Sequence, residues 1–289
     1  MSANPSLIDI MRGRQSIRTY RTESLSESDM NKINTYLNEN QNFVGPFGGT
    51  GRVHFVLVNH NVTDKGIKLG TYGFIKNPRA YLVGTAINEK IALVEYAYIF
   101  HRATLFLTQL GIGTCWMGGT FNRTSFEDEI QLNRDEFIPC ITPLGYPKQK
   151  QRVFDKALRF AVKADNKKRW EQLFYDSTFL TPLIKENAGQ LEIPIEMVRL
   201  GPSASNKQPW RLVLSEDRQL CHFYIQHTPN YSSSLGYDMQ LLDMGIAMCQ
   251  FESACRELQI SGNWQIDDPH LESGNEQIEY IVSWKRENK

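Results

Sequence analysis

Apolar residues recur along this chain with two different spacings, and these spacings predict its secondary structure. The apolar positions from Leu7 to Met11 follow helical spacing, which predicts a short helix over residues 6–13. Ser26 begins a second predicted helix, because Asp29 follows it as in a capping box, with Asp in place of the usual Glu. The remaining pattern predicts strands at 53–58, 80–85 and 137–144, a long helix at 91–110 and glycine-rich turns at 42–51 and 111–119.

The longest apolar stretch, residues 91–110, is the predicted long helix. Four polar residues interrupt it: Glu95, His101, Arg102 and Gln109. A stretch with this many polar groups is typical of a helix buried in a protein core and is too polar to span a membrane. We therefore expect no membrane association.

The pattern repeats in the second part of the chain. Residues 110–116 align with residues 258–264 at a constant offset of 148. The preceding helix aligns at the same offset, pairing Glu95 with Asp243 and Ala97 with Gly245. A Gly-Pro pair also precedes the first strand of each part, at Gly45-Pro46 and Gly201-Pro202. Three matches in the same order predict two copies of one α+β unit.

Two such units can pack about a pseudo-two-fold axis, where a site at their interface draws on both. We expect a first half at 1–153, a connecting segment at 154–172 and a second half at 173–289. Basic residues in the connecting segment, among them Lys167, Lys168 and Arg169, favour a solvated linker on the surface.

Charge and cysteine content exclude several classes of protein. The chain has 32 Lys and Arg residues and 32 Asp and Glu residues, so a nucleic-acid binder is not expected. Its five cysteines are odd in number and form no C-x-x-C pair, which disfavours disulfides and zinc. Since the first residues also lack an apolar signal core, we expect a cytoplasmic protein. Motifs of hydrolases and metalloproteases are missing, and Cys115 is more typical of a structural cysteine than of a nucleophile.

Two segments could hold a phosphorylated, planar ligand. In Arg14-x-Ser16-x-Arg18, an extended backbone would turn two guanidinium groups and a hydroxyl to one side, which suits a phosphate. The alternative is a solvated basic turn. The loop 201–210 combines small residues with Asn206, whose amide could bond a planar heterocycle. Here the alternative is an ordinary turn.

Two further segments are weaker on their own. The G-x-G of residues 111–119 follows a helix, so it does not match a dinucleotide-binding turn, which follows a strand. Cations at Lys148, Lys150 and Arg152 follow a predicted strand and could complete a phosphate pocket, or could be a solvated run.

Together these segments resemble the flavin-dependent nitroreductase family. The resemblance rests on R-x-S-x-R after the first helix, P-S-x-x-N-x-Q-P-W before a strand, G-x-G-T-x-W-x-G-G after the central helix, and G-Y-P followed by basic residues. Ordinary members are homodimers with FMN at the interface, and this chain resembles the branch in which two subunits are fused. The resemblance implies a nitroreductase-like α+β fold: two similar halves with central antiparallel-type sheets and long core helices, packed as an intramolecular pseudo-dimer.

The departures from the family pattern imply one FMN per chain. The first half has R-x-S-x-R but Gly45-Pro46-Phe47-Gly48-Gly49-Thr50 in place of the Asn loop, whereas the second half has the Asn loop without R-x-S-x-R. Because these motifs come from opposite subunits in family dimers, they complement each other into one site. The implied cofactor-binding residues are Arg14, Gln15, Ser16, Arg18, Trp116, Met117, Gly118, Gly119, Lys150, Arg152, Pro202, Ser203, Ala204 and Asn206.

The resemblance implies an oxidoreductase that passes electrons from NAD(P)H through FMN to a nitroaromatic, a quinone or a similar small acceptor. The flavin would carry the chemistry, so no catalytic side chain is expected. The acceptor would be set by residues over the open flavin face, for which Phe43, Phe47, Phe74 and Tyr231 are candidates. We expect a monomer. The alternative function is that of a flavin carrier or a degenerate structural protein without turnover.

Overall fold

The computed structural model describes residues 5–49, 52–57, 74–148 and 166–287. The helices are α1 (Leu7–Gly13), α2 (Glu27–Asn38), α3 (Lys90–Gln109), α4 (Thr124–Glu127), α5 (Glu192–Leu200) and α6 (Gln240–Glu257). The strands are β1 (Arg52–Leu57), β2 (Ala80–Ile87), β3 (Glu136–Phe137), β4 (Ile141–Leu144), β5 (Phe174–Asp176), β6 (Trp210–Leu214), β7 (Leu220–Gln226), β8 (Gly262–Gln265) and β9 (Ile278–Arg286). Short 3₁₀ helices lie at Asn40–Phe43, Trp170–Gln172, Lys185–Leu191 and Ala204–Asn206.

The two N-terminal helices begin where the sequence predicts, and α2 has a modified cap. Ser26 Oγ accepts a hydrogen bond from Asp29 N at 3.1 Å, as in a capping box. The shorter Asp29 side chain does not return to Ser26 N. Instead Ser26 N donates to the Tyr146 hydroxyl at 3.0 Å, and that hydroxyl donates to Asp29 Oδ2 at 2.5 Å. The Tyr146 hydrogen bond lowers the pKa of Asp29.

The first half contains a small antiparallel sheet centred on β2. Strand β1 pairs along one edge of β2, and β4 and β3 pair along its other edge. The single strand predicted at 137–144 is therefore wrong, because the structure has two short strands separated by residues 138–140. Pro139 lies in this gap and has no N–H to donate to a ladder, which explains the interruption.

The second half contains a five-stranded sheet in the order β5-β6-β7-β9-β8. Strand β5 pairs with β6 in parallel, and the remaining neighbours are antiparallel. The predicted surface linker at 154–172 falls largely outside the described residues. Of its described end, Trp170 is buried and its Nε1 donates to Leu183 O at 2.9 Å, so this end belongs to the core of the second half.

Strand β8 shows that the 148-residue offset holds in three dimensions. It pairs with β9, and its counterpart at residues 114–117 lies beside β4, with bridges from Gly113 to Gly145 and from Met117 to Ile141. The predicted glycine-rich turn at 111–119 is thus a turn only at Gly111, where φ is 74°, and extended afterwards. Each half consists of two antiparallel strands, a long helix and a further antiparallel pair, so the prediction of two similar α+β halves is confirmed.

The halves meet where α3 crosses α6. A Cβ at Gly245 would lie 2.7 Å from Ala97 Cβ and would clash with the carbonyl oxygen of Val94. Gly245 is therefore required by the close approach of the two helices. Both helices are largely buried, as predicted for 91–110, and no helix in the described ranges is long and apolar enough to cross a membrane. All five cysteines are buried and free, which agrees with the expectation of no disulfide.

Candidate functional site

The Arg14–Arg18 segment lies along the edge of the first half in extended form. Ser16 bridges Thr114 in parallel, and Ile17 N donates to Thr114 O at 2.8 Å. The Ile17 side chain packs directly against Gly113, where a Cβ would lie 2.8 Å from Ile17 Cβ. Arg14, Ser16 and Arg18 are half-buried, and Gln15 is exposed. The extended conformation predicted for this segment is confirmed, whereas its ligand remains a proposal.

A buried cluster of polar atoms lies between this segment and α3. His101 Nε2, Thr114 Oγ1 and Trp116 Nε1 are buried, and none has a hydrogen-bond partner among the described residues. The Trp116 indole contacts Phe100 edge to face at 5.0 Å between ring centroids. Burial, followed by the charge of Arg14, lowers the pKa of His101 well below its usual value. These groups can therefore make further hydrogen bonds: the Trp116 indole N–H can donate, and the Thr114 hydroxyl and the neutral His101 imidazole can donate or accept.

The equivalent tryptophan in the second half is fully bonded. Trp264 Nε1 donates to Glu252 Oε2 at 2.7 Å, and the Tyr98 hydroxyl donates to the same oxygen at 2.6 Å. At the 148-residue offset, the counterpart of Glu252 is Thr104, whose Oγ1 donates to His101 O at 2.7 Å. The first half thus lacks the carboxylate that satisfies the indole of the second half.

The segment 116–119 places its four residues in different environments. Met117 is buried in the apolar cluster of the first sheet, and its N donates to Ile141 O at 3.0 Å. Gly118 and Gly119 instead face the second half. A Cβ at Gly118 would lie 2.9 Å from Met239 Cε and 3.2 Å from the Tyr237 hydroxyl, which itself donates to Pro139 O at 2.7 Å. The two glycines therefore lie at the junction of the halves.

The loop from Pro202 to Asn206 is held by its own hydrogen bonds and by α6. Ser203 Oγ accepts from Gln208 N at 2.9 Å, and Asn206 Nδ2 donates to Asn166 O at 2.9 Å. Ser205 and Asn206 have positive φ values of 47° and 54°. Left-handed backbone at non-glycine residues is uncommon, and it clusters at ligand sites.

Aligned carboxylates on the two long helices hold the corresponding loops. In the first half, Glu95 Oε1 accepts from Phe47 N at 2.7 Å and from Gly49 N at 3.2 Å. In the second half, Asp243 Oδ1 accepts from Ala204 N at 2.9 Å. Asp243 Oδ2 has no partner among the described residues, and burial raises the pKa of this carboxyl well above its usual value.

These contacts join the Arg14–Arg18 segment to residues 114–119, but none of them joins the loop 202–206 to either segment. The Arg14–Arg18 segment is continuous with residues 114–119, and the glycines at 118 and 119 reach the second half near Tyr237. Lys150 and Arg152 lie outside the described residues. Sequence reasoning missed His101, Thr114, Tyr237 and Met239 as part of this region. It pointed to the Asp243 carboxylate only through the alignment of Asp243 with Glu95. Among the described residues, no group of acidic, His and Cys side chains could hold a metal ion.

Similarity to solved structures supports the fold. Over 99% of its length, the chain matches 95% of a structure described as "a putative nitroreductase" from Thermotoga maritima, with 17% identity and a TM-score of 0.62. Half of the chain matches 92% of an FMN-dependent nitroreductase from Clostridium difficile, with 20% identity and a TM-score of 0.39. No curated protein matches this chain.

A family model gives the more direct assignment. Residues 6–255 match the family described as "Putative TM nitroreductase", a range that covers the first half and the second half as far as α6. The α+β fold with two similar halves agrees with this match and with the Thermotoga structure. The chain therefore belongs to this nitroreductase family.

Proposed function

We propose that this protein is an FMN-dependent oxidoreductase with one flavin site built across its two halves. The observation that carries the proposal is the arrangement of the first-half edge. Ser16, which lies between Arg14 and Arg18 in the chain, bridges Thr114, and the segment that contains Thr114 continues to the glycines at the junction. Four extended residues span roughly 13 Å, which is enough to hold a phosphate at one end and a ring at the other.

The residues present fit this cofactor. Two guanidinium groups can neutralise a phosphate, and the buried Thr114 hydroxyl and Trp116 indole have hydrogen-bonding capacity that the described protein atoms do not use. Glycines 118 and 119 allow Met239 and Leu235 of the second half to approach the backbone next to this segment. The loop 202–206 of the second half would close the ring from the other side through Asn206.

The difference between the two tryptophans supports one site per chain. In the second half, Glu252 occupies the hydrogen bond of the Trp264 indole, and no segment equivalent to Arg14–Arg18 covers β8 among the described residues. Lys150 and Arg152 would add to the phosphate end of the single site.

When bound, FMN would take electrons from a reduced nicotinamide and pass them to a small acceptor such as a quinone or nitroaromatic. The chain's own residues would bind and orient. Positive charge from Arg14 and Arg18 would favour the anionic, reduced form of FMN. The buried, neutral His101 would exclude water from the end of the site beside Arg14. We infer that the fused halves function as a monomer.

The test is FMN uptake measured by absorbance between 350 and 500 nm after desalting. We expect about one flavin per chain, bleached by NADH or NADPH without oxygen. Arg14→Ala and Asn206→Ala should each lose flavin, whereas Arg12→Ala should retain it because Arg12 is an exposed residue of the preceding helix α1. Retained flavin that no reduced nicotinamide bleaches would favour the carrier function, and no retained flavin would refute the proposal.

A further inference from the structure

The largest asymmetry beside the proposed flavin site is a connection between a strand and a long helix. In the first half, only Asn88 and Glu89 separate β2 from α3. In the second half, the equivalent connection between β7 and α6 runs from residue 227 to residue 239. We call residues 227–239 the strap. Most of its residues are at least partly exposed, so the strap lies between the junction of the halves and solvent.

One part of the strap is bonded to the Asn206 loop. The Tyr231 hydroxyl donates to Ser205 Oγ at 2.8 Å. The ammonium of Lys207 lies 5.3 Å from the centre of the Tyr231 ring, within the range of a cation–π contact. Tyr231 thus contacts the loop on both sides of Asn206, the residue proposed to bind the flavin ring.

Another part of the strap contacts the first half at the two glycines. A Cβ at Gly118 would lie 2.9 Å from Met239 Cε, and one at Gly119 would lie 3.5 Å from Leu235 Cδ2. Asn88 Nδ2 of the first half also donates to Gly236 O at 2.9 Å. The strap therefore bridges the two segments that would enclose the ring, one from each half.

The base of the strap is closed by a charged cluster. His227 Nδ1 lies 3.0 Å from Asp238 Oδ2, and its Nε2 lies 2.8 Å from Glu279 Oε2. Lys90 of the first half binds the other Glu279 oxygen at 2.5 Å. These bonds hold the two ends of the strap together, and the span between them is attached through Tyr231 to Ser205 and through Gly236 and Tyr237 to the first half.

We propose that the strap is the wall that limits which acceptors reach the flavin, and that Tyr231 is the positioning residue that holds this wall against the Asn206 loop. The inference rests on the proposed function. The strap side chains that contact the Asn206 loop and the two glycines are Tyr231, Leu235 and Met239, so an acceptor that approaches these segments from the strap side meets them. An aromatic ring and two apolar side chains favour small, flat, apolar acceptors such as quinones and exclude bulky or charged ones.

The test compares Tyr231→Phe with Tyr280→Phe in the FMN-loaded protein. Tyr280 is a matched control because its hydroxyl also lies 2.8 Å from a serine Oγ, that of Ser283, away from the strap. The first readout is quenching of bound flavin fluorescence by iodide. The second is hydrogen exchange of peptides covering 228–239, with and without FMN. The third is kcat/KM for p-benzoquinone and for the bulkier nitrofurazone.

We expect Tyr231→Phe to raise the iodide quenching constant at least twofold and to speed exchange of the strap. It should also raise the nitrofurazone-to-benzoquinone ratio of kcat/KM at least threefold, while one flavin per chain is retained. Tyr280→Phe should change none of these. A variant in which residues 229–236 are replaced by a short Gly-Ser link should show the same changes more strongly.

Two outcomes would overturn the inference, and they can be told apart. If the protein binds one FMN but both strap variants leave quenching and the acceptor ratio at their wild-type values, the strap is not the wall and the proposed function stands. If the protein takes up no FMN, the proposed function fails and the inference fails with it.

Discussion

The two halves share one architecture but treat their equivalent tryptophans differently. Trp264 donates to a carboxylate that also binds Tyr98 and Arg256, so its indole belongs to a hydrogen-bond network. At the position of Glu252 the first half has Thr104, whose hydroxyl is bonded to the backbone of α3, and the Trp116 indole has no partner among the described residues. One difference between equivalent helix positions, Thr104 and Glu252, therefore accompanies the difference between a bonded and an unbonded indole.

The connections between the strand and the long helix also differ in length between the halves. The first half passes from strand to helix in two residues, whereas the second half inserts the strap. In the proposed site, the first half would supply the phosphate-binding segment and the second half would supply the cover. Three predictions test whether the two halves differ in their roles.

The largest effect is expected at the helix crossing. Gly245→Ala should cost roughly 3 kcal/mol of unfolding free energy, because the added methyl meets the backbone of α3 and Ala97. Ala97→Gly, the exchange at the equivalent position, should cost only about 1–2 kcal/mol through lost helix propensity and one lost methyl. Urea unfolding measures both. Equal losses of unfolding free energy in the two variants would contradict the expectation that the helices pack more tightly at Gly245 than at Ala97.

The next effect concerns the two tryptophans. Trp264→Phe should cost about 2–3 kcal/mol because it removes a charge-assisted hydrogen bond and some packing. Trp116→Phe should cost about 1 kcal/mol, since its indole N–H has no partner among the described residues. The order should reverse for FMN affinity, which Trp116→Phe should weaken and Trp264→Phe should not. Equal losses of stability together with equal affinities would contradict the division of roles.

The smallest effect, per pH unit, is the pH dependence of stability that arises from two aspartates whose pKa values shift in opposite directions. Burial raises the pKa of Asp243, so the folded state favours its protonated form and wild-type stability is lost as the pH rises above about 4. Asp243→Asn removes this loss and keeps an oxygen for Ala204 N. Relative to wild type it should gain up to about 1.4 kcal/mol per pH unit until the folded-state pKa is passed.

Asp176 serves as the control because its shift has the opposite sign. Its hydrogen bonds from Arg218, at 2.6 and 2.7 Å, lower the pKa of this carboxyl. Asp176→Asn should therefore cost about 1–2 kcal/mol at pH 7, and the cost should fade as the pH drops below about 4. Urea unfolding curves at several pH values measure whether each substitution raises or lowers the free energy of unfolding. Parallel pH profiles for both variants would contradict the assignment of Asp243.

The repeat, the long helices and the segments that resemble the family were predictable from the sequence because they depend on local spacing. The offset of 148 alone is enough to align Ala97 with Gly245 and Glu95 with Asp243. Other features depend on contacts between distant residues. Tyr146 completes the cap of α2, Pro139 divides a strand, and Met117 turns into a core while the adjacent Gly118 faces the other half.

The candidate site was predictable only in part for the same reason. Arg14, Ser16 and Arg18 could be recognised by alternation along the chain, but the capacity of the Trp116 indole becomes visible only beside its bonded counterpart. The sequence offered Tyr231 as a candidate for the open flavin face, but turn residues at 228–236 give no indication of which segments the strap contacts. Lys150 and Arg152 remain predictions from the sequence.

The crossing of α3 and α6 joins two parts of a single polypeptide. In a homodimer, every substitution appears twice and the contact weakens on dilution. Here Thr104 and Glu252 are independent positions, and the free energy of the contact between the halves contains no term for protein concentration. One half can therefore be altered while the other serves as an internal reference within the same molecule, which is an advantage that a homodimer does not offer.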